Sequence, residues 1–161
     1  MSDQIYSSIR ARLEALAIPF REVHHEPTTT SEASARARGE ALEIGGKAIL
    51  LKTDDVFRLF VLSASRRVDS AAIRRHLGVK KIRFASHDEL LHLTGLLPGA
   101  LPPFGLPILP FELSVDHSIL ANERIAFNAG SLELSIIMSV SDYLRAATPR
   151  VFRFAEDTHE A

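Results

Sequence analysis

Lys47 follows two glycines and opens an apolar run, Ile44-Gly45-Gly46-Lys47-Ala48-Ile49-Leu50-Leu51. The glycines permit a bend and a close backbone approach, and a strand beginning there holds the lysine in place. A lysine partly withdrawn from water at such a point can grip an anionic or carbonyl group, or lose its proton and act as a base. By itself the pattern is weak, because most strand-end lysines are solvated. A second stretch supplies what the lysine lacks. Residues 95–110 read GLLPGALPPFGLPILP and hold five of the chain's eight prolines and three of its eight glycines. No charge falls between Leu90 and Phe111. That length of apolar sequence suits a membrane helix, but prolines through its middle remove donors and force kinks. It reads instead as a rigid apolar loop that recognises by shape and by its own N–H and C=O groups. Chemistry there needs a charged partner from elsewhere, and Lys47 is the candidate.

Other residue types offer less. His24 and His25 are strand neighbours and point to opposite faces. His87 and His92 miss the i,i+4 spacing that sets two ligands on one helix face, and Asp116-His117 has no evident third ligand. A metal is therefore not expected, although His25, just before Glu26-Pro27, is placed to line a pocket. With no G-x-S-x-G and no elbow context at Gly130-Ser131, a serine hydrolase is disfavoured. Thr28-Thr29-Thr30-Ser31 is most simply helix-capping chemistry, with a polar pocket edge as the alternative. Asp116, at a strand end, either binds a ligand amine or caps the next turn. A Schiff-base enzyme at Lys47 has no phosphate loop or barrel repeat to accompany it.

The elements that must position these groups are legible from spacing. Ile5, Ile9, Leu13 and Leu16 predict a helix over 4–17 that Pro19 ends. Phe20–His24 reads as a strand, and Thr29 with Glu32 fits a capping box before a helix stopping at Gly39. Lys47–Lys52 and Phe57–Ser63 form a hairpin across Asp54-Asp55. Asp69 caps a helix to Leu77, Lys81–Ala85 is a strand, and His87–Thr94 a helix ending at Gly95. Strands follow at Pro110–Val115, Arg124–Asn128 and Leu132–Met138. Ser141 is expected to cap a last helix to Ala147, and Val151–Phe154 to close the sheet. Strands outnumber helices without alternating with them. The fold class is therefore α+β, a single domain over residues 1–161 with a mixed or antiparallel, barrel-like sheet and surrounding helices.

Composition narrows the classes further. The chain has 161 residues, 46% hydrophobic and 24% charged, and no cysteine, which excludes disulfides, thiolate catalysis and Cys-ligated zinc. Asp3, Arg10, Arg12 and Glu14 interrupt any N-terminal apolar segment, so a cytoplasmic location without membrane contact is the expectation. The net charge of −1 conceals an asymmetry. Arg66, Arg67, Arg74, Arg75, Lys80, Lys81 and Arg83 stand against Asp69 alone over residues 61–83, which suits either one face meeting a phosphate backbone or a solvated helix with a basic face.

Together the blocks resemble a known family. H-x-P-T-T-T-S-E-A (25–33), G-G-K-A-I-L-L-K (45–52), T-G-L-L-P-G-A-L-P-P-F-G (94–105), V-D-H-S-I-L (115–120) and F-N-A-G-S (127–131) occur in the order of the YbaK-type family. These are relatives of the editing insertion domain of bacterial prolyl-tRNA synthetase. The resemblance spans about residues 20–145, with Gly99–Pro103 on the family's G-x-x-x-P loop and Lys47 on its essential lysine. It implies hydrolysis, in trans, of the ester of a mischarged tRNA, usually tRNA for proline carrying a small amino acid. Lys47 would then anchor the aminoacyl-adenosine end. Gly99, Ala100, Leu101, Pro102 and Pro103 would hold the carbonyl and stabilise the developing oxyanion. His25, Thr30, Asp116, Gly130 and Ser131 would complete the substrate site. A water placed with help from a tRNA ribose hydroxyl would attack, with no cofactor and no metal. The expected partners are the acceptor end of the tRNA, met by Arg66, Arg67, Arg74, Arg75, Lys80 and Lys81, and a synthetase. Alanine-specific members have Asn where this chain has Ala48, and several relatives have Gly-His where it has Gly130-Ser131-Leu132. The amino acid removed therefore does not follow. A non-catalytic module binding aminoacyl-tRNA or an amino-acid-like ligand is the alternative.

Overall fold

Strand β3 (Val56–Ser63) explains the architecture. Its Leu59-Phe60-Val61-Leu62 run is apolar on both faces and fully enclosed, so something must cover each side of it. The computed structural model describes residues 2–156, so Met1 and residues 157–161 of the expected single domain lie outside the described residues. β3 pairs along its length with β2 (Gly46–Thr53), antiparallel, through the Asp54-Asp55 turn. The flanking strands of this sheet are β4 (Ile82–Phe84) beside β2, then β5 (Leu113–Val115) and β8 (Arg150–Val151), both parallel, beyond β3. A second sheet places β7 (Leu134–Ser139) between β1 (Arg21–His24) and β6 (Arg124–Asn128), all antiparallel. The expected mixed sheet is thus realised as two, joined by a parallel bridge from Gly45 to Ala126.

Alternation divides the core accordingly. Leu59 and Val61 face the second sheet and pack with Ile125, Phe127, Ile136 and Met138. Phe60 and Leu62 face the other way, onto Ile73, Phe152 and Phe154. Gly46 is required at the junction, since a Cβ there would stand 2.6 Å from Ile125 Cδ1.

Helices α1 (Ser2–Ala15), α2 (Ser31–Arg38), α3 (Ser70–Leu77), α4 (His87–Thr94), α5 (His117–Leu120) and α6 (Val140–Ala147) lie around the sheets. Thr30, Asp69 and Ser86 cap α2, α3 and α4 with their side chains, each worth about 1 kcal/mol, and Gly39, Gly78 and Gly95 end them in left-handed conformation. Four expectations are corrected. Thr30, not Thr29, caps α2, its side chain accepting from the Ala33 N–H. Ser139, not Ser141, caps α6, because β7 runs one residue further than expected and its last residue turns directly into the helix. The strand expected over Pro110–Val115 begins only at Leu113, and the one expected over Val151–Phe154 is β8, Arg150–Val151. Past Val151 the backbone N–H groups of Phe154 and Ala155 go to the Asp116 carboxylate instead of a neighbouring strand. Helix α5 follows Asp116 and was not anticipated. Among the described residues no helix is long and apolar enough to cross a membrane.

Candidate active site

The beginning of β2, the beginning of α2 and the proline-rich loop converge on one cavity of about 240 Å³. One wall is main chain. Gly45 and the first residues of β2, Gly46 to Ala48, contribute it together with Gly99 and Leu101 of the loop. Because Ala64 N–H donates to Gly45 C=O, the antiparallel register sends the main-chain groups of Ala48 away from β3, onto an edge that β4 covers only from Leu51 onward. The loop is held from behind at successive positions. Gly99 has φ +92° and its carbonyl accepts from Asn128 Nδ2 at 2.8 Å. The Ala100 N–H donates to Leu97 C=O, and its carbonyl accepts from Gly130 N–H at 3.1 Å. Pro103 C=O accepts from the Tyr143 hydroxyl at 2.6 Å; complete burial pushes that phenol's pKa up, so it stays a donor. Among the described residues the amides of Gly99 and Leu101 have no hydrogen-bond acceptor. Two N–H groups so close in sequence, on a rigid loop, are the kind of donors that stabilise a developing oxyanion.

Lys47 stands half-buried on this wall, paired with Leu62 across β2 and β3. Its ammonium donates to the Arg66 carbonyl at 2.6 Å. Burial lowers its pKa from the ordinary lysine value, Glu32 opposes that shift, and Arg67 adds to it. A single protein acceptor leaves two ammonium hydrogens for a ligand.

The opposite wall is made of side chains. Thr28 and Ser34 hydroxyls bond each other at 2.7 Å, and Thr30 Oγ1 accepts from the Ala33 N–H. The hydroxyls of Thr29 and Ser31, also on the lining, have no partner among the described residues. Arg38 and Asn128 also line the cavity, and Arg38 donates through Nε to Ser135 Oγ at 2.9 Å and through Nη2 to Asn128 Oδ1 at 3.2 Å. Ser135 Oγ also donates to Asn128 Oδ1 at 3.0 Å, so α2 is linked to the Gly99 carbonyl through three side chains. Burial lowers the Arg38 pKa to about 10, with Glu40 opposing, and the guanidinium remains charged at neutral pH.

The structure sorts the expected site residues into those it gathers and those it does not. Lys47, Gly99, Leu101 and Thr30 line the cavity. Ala100, Pro102, Pro103 and Gly130 are buried outside that lining; Ala100, Pro103 and Gly130 carry hydrogen bonds that fix the loop. His25 and Ser131 line a neighbouring recess with Tyr6, and His25 reaches the site only through Ser135 Oγ at 2.8 Å. Asp116 is removed from the site altogether. It is 3% exposed, and its oxygens accept from the N–H groups of Ser118, Phe154 and Ala155 at 2.7, 2.6 and 3.0 Å. It serves as a structural carboxylate, its oxygens engaged by the main chain away from the Lys47 cavity. The basic run is divided. The Arg66 main chain meets Lys47, the side chains of Arg66 and Arg75 line a separate recess, and Arg67, Arg74, Lys80 and Lys81 are exposed. Arg38, Ser34, Asn128 and Ser135 escaped sequence reasoning. Ser34 and Arg38 are four residues apart on one helix face, and Asn128 lies inside the F-N-A-G block, so both signals were present.

Comparison with known proteins places this geometry. The aminoacyl-tRNA editing domain family matches residues 25–146, and the chain belongs to that family. It is 37% identical over 141 residues to an Escherichia coli K12 protein, the multifunctional Ser/Thr-tRNA deacylase ProXp-y, covering 84% of this chain and 83% of that one. The proline–tRNA ligase of Shouchella clausii is 33% identical over 65% of this chain and 18% of its own longer chain. Among solved structures, a candidate trans-editing enzyme for prolyl-tRNA synthetase superposes with a TM-score of 0.83 at 20% identity, covering 97% of each chain. The hypothetical protein APE2540 does so with a TM-score of 0.82 at 22% identity over 95% of this chain and 99% of that one. These structural likenesses establish the fold.

Proposed function

We propose that this protein removes a small hydroxylated amino acid, serine or threonine, from mischarged tRNA in trans, with Lys47 and the Gly99–Leu101 amides as its working parts. The coarse activity, an aminoacyl-tRNA deacylase and so a hydrolase of an ester bond, rests on membership of the editing family and on the deacylase relative. In the finer reading the Lys47 ammonium holds the ribose–phosphate end of the substrate. The Gly99 and Leu101 N–H groups receive the ester oxygen as it becomes an oxyanion. Water attacks the carbonyl carbon, the tetrahedral centre collapses, and the tRNA hydroxyl leaves with a proton. An aminoacyl ester is already activated, so positioning water and stabilising charge are sufficient work for the site.

The observation that carries this reading is that Lys47 lines one cavity with Gly99 and Leu101, whose amides have no acceptor among the described residues. The unpaired Thr29 and Ser31 hydroxyls opposite favour a substrate with its own hydroxyl, because a site built to hydrogen-bond a hydroxyl discriminates against analogues lacking it. The test is release of labelled amino acid from tRNA charged separately with serine, threonine, alanine, cysteine and proline. Seryl or threonyl release that disappears in Lys47→Ala is expected. Release of alanine alone would refute the hydroxyl preference, and lysine-independent release would refute the site.

A further inference from the structure

Ser135 is fully buried, and its hydroxyl has three polar neighbours but a single hydrogen to give. Arg38 Nε stands 2.9 Å from Ser135 Oγ, Asn128 Oδ1 3.0 Å and His25 Nε2 2.8 Å. Arg38 can only donate. The Asn128 amide is oriented by its Nδ2, which gives a hydrogen to the Gly99 carbonyl, so Oδ1 can only accept. The Ser135 hydrogen therefore goes to Asn128, and both remaining lone pairs accept, one from Arg38 and one from His25 Nε2. The other ring nitrogen, Nδ1, lies 2.9 Å from the Glu26 carbonyl, which also only accepts. All of these contacts are hydrogen bonds at once only when both His25 nitrogens carry hydrogen. In a neutral ring, either Nδ1 faces the Glu26 oxygen bare, or Nε2 competes with Asn128 for the Ser135 hydrogen.

We infer that His25 is a positioning residue for deacylation, which as an imidazolium directs the Ser135 hydroxyl onto Asn128 and so holds the Gly99 carbonyl of the loop. The inference rests on the deacylase reading above and extends it to a residue outside the lining of the main cavity. With two donors on Oδ1, from Arg38 Nη2 and Ser135 Oγ, the Asn128 amide is polarised and its own bond to Gly99 strengthened. Loss of the ring proton to water reverses this. The Glu26 carbonyl keeps the hydrogen on Nδ1, so Nε2 becomes a bare acceptor and draws the Ser135 hydrogen to itself. Asn128 Oδ1 then keeps Arg38 alone, and the loop is held less firmly. The charges around the ring come from several elements. Arg38 of α2 lies across Ser135, while Asp3 of α1, Glu133 before β7 and His24 of β1 share its recess. Tyr6 of α1, also in the recess, gives its hydroxyl hydrogen to Glu22.

The experiment measures kcat and KM for release of serine from seryl-tRNA between about pH 5 and 8, the window in which imidazoles ordinarily change charge. Wild type, His25→Gln, His25→Ala, Ser135→Ala and Lys47→Ala are compared, folding is checked by thermal melting, and nitrogen NMR follows the His25 ring. Glutamine carries an N–H donor at about the reach of Nε2 and cannot titrate. The substrate ammonium titrates nearby but alike with every variant, so the ratio of wild-type kcat to that of His25→Gln isolates the ring. That ratio should be near unity while both ring nitrogens carry hydrogen. It should fall roughly threefold to tenfold as NMR shows the ring proton leaving, with KM little changed. His25→Ala and Ser135→Ala should be slow at acid pH and show no such step. A ring that is neutral throughout, a ratio that stays flat while the ring loses its proton, or equal kcat in His25→Ala and His25→Gln overturns the inference and leaves the deacylase reading standing. A change confined to KM assigns His25 to substrate contact and also overturns it. Release that is absent in wild type, or that survives Lys47→Ala, would instead strike the deacylase reading itself.

Discussion

The two walls of the main cavity are built on opposite principles. The wall formed by β2 and the loop works with main-chain groups and one lysine, over two short stretches of sequence. The facing wall works with side chains drawn from α2, β6 and β7, bonded to one another through Arg38, Ser135 and Asn128. The first holds an ammonium and amides without acceptors among the described residues; the second leaves the Thr29 and Ser31 hydroxyls unpaired but commits Arg38, Ser135 and Asn128 to holding the first in place, through the bond from Asn128 to the Gly99 carbonyl. Rigid main chain is a good oxyanion binder only if something else prevents its peptides from rotating.

The sharpest way to break this division is at the main-chain wall. Gly99→Val forces a β-branched residue to φ +92° and sets its Cβ about 3.2 Å from Leu132 Cδ2. A fall in kcat/KM on the order of 10²-fold or more is expected, read in the deacylation assay, because the neighbouring amides lose their alignment. Next is the supporting wall. Asn128→Ala leaves the Gly99 carbonyl and Arg38 short of partners and should cost about 1–3 kcal/mol in denaturant unfolding, together with a roughly tenfold loss of kcat from a site that still binds. Asp116→Ala should separate the site from the scaffold. Removing the carboxylate that accepts from three backbone N–H groups should cost about 3 kcal/mol of stability, with kcat of the folded fraction unchanged.

Titration sharpens the same contrast. With its pKa lowered by burial, Lys47 should lose its proton, and the enzyme its activity, at a pH below the ordinary lysine value of 10.5. Over the window between that lowered value and 10.5 the unfolded chain binds more protons than the folded one. The Lys47 contribution to stability is therefore least favourable below the folded pKa and improves as pH rises through the window. A pH–rate profile corrected for spontaneous ester hydrolysis should show this alkaline limb in wild type. The smallest effect is expected at Glu89, held down to about pKa 2 by Arg83 and by the Ser86 N–H. Glu89→Gln removes this exposed capping pair at the start of α4, and less than about a twofold change in kcat/KM should result.

The main-chain wall was legible in the sequence for a simple reason. Gly45-Gly46-Lys47 and the proline-rich stretch are contiguous, and glycine and proline state their backbone geometry locally. The supporting wall was not. Arg38 lies within the helix expected to stop at Gly39 and Ser135 within the strand expected over Leu132–Met138, and nothing local singles either out. Their meaning lies in contacts between residues 97 and 90 positions apart, which no local pattern announces. Asp116 misled in the converse way. Its strand-end position suits a ligand or a cap equally, and only the return of residues 154 and 155 beside it consumed its oxygens.

By itself the sequence determined the existence of most helices, the hairpin and the rigid loop, because each follows from steric limits on neighbouring residues. Tertiary structure decided the rest. It set how deeply Lys47 is buried, which loop amides stay unsatisfied, and which distant side chains hold them. Those are properties of packing between segments far apart in the chain, where desolvation and hydrogen-bond partners are assigned only once the sheets close on each other.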